Sequence, residues 1–155
     1  MSAAWLLDFG DNCRAAVGEQ HQVHLMHAPE VIELPLTPHH ARHALLWNDR
    51  CMPVLDLGAW LSRCARQSDR RYLGVYMYPG TRGGSVQIGA LWLAQPPQRC
   101  QVEDAMAAAL PVEPARWSEI ACSCFDAGAG AGAVPILDLG LIFDAALART
   151  PGGPD

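Results

Sequence analysis

The chain has 155 residues, half of them apolar and only 17% charged, a composition that excludes a disordered segment and suits one packed domain or two very small subdomains sharing a core. The net charge is −5, and all 11 basic residues are Arg, six in residues 1–70 and five after; no basic face is available to displace counterions from phosphates, so nucleic acid is not an expected partner. No apolar run reaches the ~18 residues of a membrane span. Residues 1–11 lack a basic n-region and carry Asp8 and Asp11, so neither direct membrane insertion nor export is expected.

Taken in chain order, residues 5–9 read as a strand, Gly10-Asp11-Asn12 as a hairpin turn and 13–17 as the returning strand. Residues 19–27 read as a short helix, with Val23 and Met26 at helical spacing. A strand over 31–34 ends at Pro35-Leu36-Thr37-Pro38, and 40–47 leads to a turn at Asn48-Asp49. Residues 50–57 form a further strand. A second series begins with a strand over 72–78, a loop over 79–84 and a return strand over 85–93 that places Trp92 in the core. Residues 102–110 include an Ala-rich helix, with Glu103 and Asp104 at its start where acids favour the helix dipole. Strands follow over 117–125 and 134–139. They are joined by the Gly/Ala run 126–133, which reads as a flexible hairpin tip because it lacks the ending and setting of a phosphate loop. The tail 150–155 is expected to be disordered. Short strands, few helices and frequent turns indicate a mostly β, small-barrel architecture.

The most informative feature is an internal repeat. Residues 52–58 read MPVLDLG and residues 134–140 read VPILDLG, 82 positions apart, each followed by a short apolar tail. Two copies of one supersecondary unit predict two similar barrels. In each copy the Pro opens a short buried strand, where no ladder donor is needed. Asp56 with Gly58, and Asp138 with Gly140, then end the strand and permit a turn. Each Asp is read as structural, its carboxylate accepting backbone N–H groups at the turn or capping a following helical turn.

The six Cys (Cys13, Cys51, Cys64, Cys100, Cys122, Cys124) permit three disulfides in an oxidising compartment. Several lie in apolar segments and no export signal is present, so reduced thiols packed as small hydrophobes are expected. His39, His40 and His43 cluster near Asp49, and Cys122 and Cys124 are placed on one face of a strand. Neither has the paired spacing of a structural zinc site. No nucleophile elbow or comparable signature is present, so neither a catalytic site, a metal nor another cofactor is expected. Trp47, beside the polar turn Asn48-Asp49, is placed as a protein–protein hot spot or folded back on its own barrel.

Several stretches together resemble the CheW family of chemotaxis adaptors. They are Leu34-Pro35-Leu36-Thr37-Pro38, the hairpin Ala41 through Leu57 against the family pattern VRGVxNLRGxxVPVxDL, and the second half from Tyr72 through Val86-Gln87-Ile88-Gly89-Ala90-Leu91 to Pro135-Ile136-Leu137-Asp138-Leu139. The resemblance implies two intertwined five-stranded SH3-like barrels in a single domain over 1–149: a first barrel of about 13–70, and a second of about 71–149 completed by the N-terminal strand 5–9. It further implies a non-catalytic cytoplasmic scaffold, recruited to membrane-associated receptor arrays, that couples a chemoreceptor tip to the regulatory domain of a CheA-type histidine kinase in chemotaxis or pilus-based motility. The interaction candidates are Arg42, His43, Leu46, Trp47, Asn48, Asp49 and Arg50. Arg42 matches the family's first basic position, but Leu46-Trp47-Asn48-Asp49 stands in place of Asn-Leu-Arg-Gly. The guanidinium associated with receptor contact is therefore replaced by Asn48, with Arg50 as a partial substitute. The alternative is a divergent scaffold or localisation module that binds another partner.

Overall fold

A computed structural model describes residues 2–10, 13–62, 71–80, 85–112, 116–128 and 132–147, with the side chains of 146 and 147 excepted. The expected boundaries at 11–12, 63–70, 81–84, 129–131 and 150–155, the tail included, lie outside the described residues. The chain is mostly β, as expected: eleven strands and three short α-helices among the described residues.

Strands β1 (Ser2–Asp8) and β2 (Arg14–Gly18) form a hairpin. Then come β3 (Gln22–His27), β4 (Ile32–Glu33), β5 (His43–Trp47), β6 (Arg50–Leu55) and helix α1 (Leu57–Ser62). The second series repeats the plan with the hairpin β7 (Tyr72–Pro79) and β8 (Val86–Leu93), then β9 (Gln98–Val102), helix α2 (Trp117–Ile120), β10 (Ala121–Asp126), β11 (Ala133–Leu137) and helix α3 (Leu139–Leu147).

The two series exchange their leading hairpins. One sheet runs β5-β6-β8-β7-β3, with β4 on the outer side of β5, and the other runs β10-β11-β2-β1-β9. Read position for position, the orders match, each with one parallel contact at its centre: β6 with β8 (Val54↔Ala90) and β11 with β2 (Ile136↔Ala16). Strands β1 and β2 lie in the sheet of β9, β10 and β11, while β7 and β8 lie in the sheet of β3, β5 and β6. The exchange places each leading hairpin against the repeat strand of the other series, and this intertwines the halves.

Both sheets curl. The rings of His24 on β3 and Trp47 on β5 lie 5.9 Å apart, whereas four strand steps would separate them by about 19 Å in a flat sheet. Beyond β3 the chain returns as β4, pairing Ile32 with Ala44. In the other sheet Ala107, just beyond β9, bridges Phe125 of β10, and the Ala108 N–H donates to the Cys124 carbonyl at 3.0 Å. The continuation of the last strand thus seals each barrel. β4 is the added strand that makes one sheet six-stranded instead of five.

Three apolar clusters follow from the alternation of the strands. Leu45, Met52, Val54, Leu73, Val75, Ala90 and Trp92 fill the barrel containing β5–β6, here barrel I. Ala4, Ala16, Phe125 and Val134 fill barrel II, around β10–β11. The largest cluster lies between the barrels and takes Leu7, Val17, Tyr76 and Leu91 from the outer faces of the sheets, with Trp60, Ile120 and Ile142 from the helices. Arg116 ties two of these elements: its guanidinium lies 4.6 Å over the Trp60 ring and donates to the Trp60 carbonyl at 3.1 Å.

The repeated Asp residues act as caps. The Asp56 Oδ1 accepts the Ala59 N–H at 3.0 Å and the Asp138 Oδ1 accepts the Leu141 N–H at 3.2 Å. Their own N–H groups donate to the carbonyls of His40 and Ile120. Gly58 and Gly140 are buried inside the first helical turns. They do not end the strand as a left-handed turn, because the Asp cap has already started the helix.

Three expected elements differ. Residues 19–27 form a single 3-10 turn and strand β3, because Gln22–His27 pairs with β7 and tertiary pairing overrides the Val23/Met26 spacing. The Ala-rich run holds only the 3-10 turn Asp104–Met106, since Ala107 must be extended to seal barrel II. Residues 117–120 are helical, which puts Trp117 and Ile120 on one buried face.

Asp56→Ala is expected to lower stability by about 1–2 kcal/mol, and Asp138→Ala by less, because Asp56 is buried and Asp138 is not. Urea denaturation of the two variants tests this; equal losses would mean that burial is irrelevant to the cap. The Tyr76 side chain is fully buried and its hydroxyl has no hydrogen-bond partner among the described residues. Tyr76→Phe is expected to raise stability by about 1 kcal/mol, and a lower urea midpoint would contradict that.

Candidate protein-interaction site

The expected interaction residues lie on one hairpin but at its two ends. β5 and β6 pair from His43↔Val54 to Trp47↔Arg50. Arg42 and His43 are at the base, about 13–17 Å along the strand from the tip. There the Arg42 guanidinium lies 2.7 Å from the His39 Nδ1, and the His43 ring meets the Trp92 ring edge-on at 5.7 Å. Leu46, Trp47, Asn48, Asp49 and Arg50 gather at the tip.

The tip is a two-residue turn with φ of 49° at Asn48 and 60° at Asp49. Two consecutive left-handed residues define the hairpin turn whose twist matches its strands, and Asn and Asp are the non-Gly residues that tolerate it best. Trp47 and Arg50 then face each other across the ladder, while Leu46 points outward from the barrel, 64% exposed, opposite the exposed Cys51. Among the described residues neither Asp49 nor Arg50 has an ion-pair or hydrogen-bond partner.

The same end of barrel I carries residues that sequence reasoning did not single out. Trp47 is half-buried and stacks on His24. Met77 and Ile88, cross-strand partners on β7 and β8, continue the inward-facing rows of Val75 and Ala90 to the open end of the barrel. Val86 opens β8 there. Met77 is 41% and Val86 54% exposed. The barrel therefore ends in an apolar mouth, with Asp49 and Arg50 on its rim. Period-2 alternation marks these side chains as inward-facing, but no signal in the sequence says that the barrel stops short of covering them. Ile32, diagonal to Leu46 across β4 and β5, extends the apolar surface on the outside.

The residues considered for metal or thiol chemistry do not assemble. Among the described residues no three His, Cys, Asp or Glu side chains come together in a metal-binding arrangement. Cys122 lies in a bulge between Ala121 and Ser123 and is exposed, whereas Cys124 is buried, so the two thiols do not share a face. Burial pushes the Cys124 and Cys100 thiols up, which keeps them protonated and poor nucleophiles. No described helix is long and apolar enough to cross a membrane.

The class the fold defines is a β-rich protein of two joined barrels with exchanged hairpins. No family model matches the sequence, and no curated protein does. Among solved structures the chain is similar to the crystal structure of the scaffolding protein TtCheW from Thermoanaerobacter tengcongensis, with a TM-score of 0.69 and 11% identity over 98% of this chain and 90% of that one. The fold is thus the CheW fold that the sequence resemblance implied.

If left-handed backbone at the tip is a cost, Asp49→Gly relieves it. The variant is expected to gain about 0.5–1 kcal/mol in thermal or urea unfolding. A loss of stability would show that the Asp49 side chain itself holds the turn.

Proposed function

We propose that this chain is a non-catalytic, CheW-like adaptor that couples chemoreceptors to a CheA-type histidine kinase in a bacterial chemosensory system, whether for chemotaxis or for pilus-based motility. It would act in the cytoplasm and reach the membrane only through receptor arrays. The observation that carries this reading is the full-length double-barrel fold together with an apolar mouth at the tip of the expected interaction hairpin. A half-buried Trp held by a ring stack, ringed by exposed Met and Val, has the make-up of a protein–protein hot spot. The kinase regulatory domain, which by family resemblance has a similar double-barrel form, is the partner assigned to it.

The receptor half of the reading has less support. Asn48 occupies a tight left-handed turn where the family pattern has Arg, and Arg42 lies at the far end of β5 beside His39. Among the described residues Arg50 is the cation at the tip. This favours, as a second reading, a CheW-like scaffold that binds the kinase domain or another protein without receptor coupling.

Titration of the chain with the cognate kinase regulatory domain tests the first reading. Low-micromolar or tighter binding is expected, weakened at least tenfold by Trp47→Ala; no binding at high micromolar concentration would exclude kinase coupling. Co-sedimentation with receptor tips separates the two readings. Receptor coupling predicts binding that Arg50→Ala reduces, and the second reading predicts none.

A further inference from the structure

Neither series of the chain completes itself. In the first, residues 2–62, strand β3 pairs only with β7; in the second, residues 71–147, strand β9 pairs only with β1. Among the described residues, four of the nine strand pairings join one series to the other: β1 with β9, β2 with β11, β3 with β7 and β6 with β8. The central core is shared in the same way. Leu7, Leu55 and Trp60 of the first series lie in one cluster with Tyr76, Leu91 and Ile142 of the second. A series alone would leave β3 or β9 without a ladder partner and a core face in water, which is the character of an obligate interface.

The seams between the series are also symmetric. The seam of β3 against β7 in barrel I matches that of β9 against β1 in barrel II, and both are antiparallel. The seam of β6 against β8 matches that of β11 against β2, and both are parallel. Interchanging the two series therefore turns each seam into its counterpart, which is the relation between subunits of an isologous two-fold dimer. The first series stands to the second as one subunit to its partner, with a single covalent link between them through residues 63–70.

Every one of these seam contacts needs only that a first series meet a second. None distinguishes a second series in the same chain from one in another copy. Effective concentration alone decides between them, and a short covalent link sets it in the mM range.

We infer that the chain forms a series-swapped dimer: residues 2–62 of each copy pair with residues 71–147 of the other, giving two whole double-barrel units tied by two links. The partner is a second copy of this chain, and the surface it takes is the set of four seams. Dilute folding gives the monomer and concentrated folding the dimer. Passage from one to the other requires all four seams to open, which amounts to unfolding, so each form persists once made. The swapped form carries every outer surface of a unit twice, which makes it bivalent toward whatever one unit binds.

Refolding from urea at about 1 mM and at about 1 μM, followed by dilution and light scattering, tests this. The dimer fraction is expected to be at least tenfold higher from the concentrated sample and to survive dilution for hours. A protease site inserted within 63–70 then reads the connectivity. Cutting the swapped dimer is expected to release two monomer-sized particles, each held together by its seams, whereas a dimer joined through outer surfaces stays a dimer after the cut. Where the insertion abolishes folding, Leu55→Asp and Leu137→Asp provide the same test. These are equivalent positions of the repeat, both buried, and the unpaired charge is expected to unfold each variant on its own. Refolded together, the two variants are expected to give a dimer with one folded unit, since swapping alone joins an intact first series to an intact second. Monomer as the only product of the concentrated sample, a dimer that survives the cut, or a mixture of the two variants that stays unfolded would each overturn the inference.

Discussion

The corner at Asp56 and its counterpart at Asp138 organise the molecule. Each of these residues must end a strand whose two faces line different cores and, within one residue, start a helix that fills the space between them. The side-chain oxygen caps the new helix while the backbone N–H is held by the preceding element, His40 in one series and Ile120 in the other. With the corner fixed at both ends, Trp60 and Ile142 are delivered into the cluster between the barrels. A residue unable to accept at Asp56 leaves a buried helix N–H without a partner, whereas at Asp138 the capped Leu141 N–H is exposed and water can take the place of the carboxylate. In both copies the Asp carboxylate supplies this acceptor.

From that corner the exchange of hairpins follows. A repeat strand paired only with its own hairpin partner would leave its inner edge open, and open edges invite association. Strand β8 covers β6, and β2 covers β11. Because each cover comes from the other series, neither barrel is completed by its own half alone. The central core is therefore the largest of the three, and tight: a Cβ at Gly89 would overlap the Phe143 ring, which itself stacks on Tyr78 at 5.0 Å. Such packing leaves the ring and its neighbours little room to shift.

Legibility in the sequence tracked how local the governing interaction is. The repeat, its buried strands and the capping role of its Asp residues were readable because Pro, alternating apolar residues and Asp act within a few positions. The fold class followed from these together with the family resemblance. The helix expected over 19–27 and the Ala-rich helix after 102 were misread for the opposite reason: residues 22–27 are strand because β7 lies beside them, and Ala107 is extended because Phe125 of β10 needs a closing partner. No nearby residue encodes either requirement. The β5–β6 hairpin was legible, but the division of its residues between a base and a tip depends on strand register. The contributions of Met77, Val86 and His24 depend on the curl of the barrel. Both are long-range properties that a linear pattern does not carry.

The tip shows how two turn residues set what a hairpin presents. A turn made of Asn48 and Asp49, both left-handed, is the shortest link between antiparallel strands, so β5 and β6 stay paired to their last residues, Trp47 and Arg50. A long flexible cation at the turn would reach outward and find its own partner at an entropic cost. A Trp one residue earlier, held against His24 at 5.9 Å, is already ordered before any partner arrives. It has only two side-chain torsions to lose, and an aromatic face that makes its contact by burial in place of directed hydrogen bonds. Asn48 at the turn thus offers little reach, while the neighbouring Trp offers area. The tip thus presents a ring face held by its own stack, with the side chains of Asp49 and Arg50 exposed beside it.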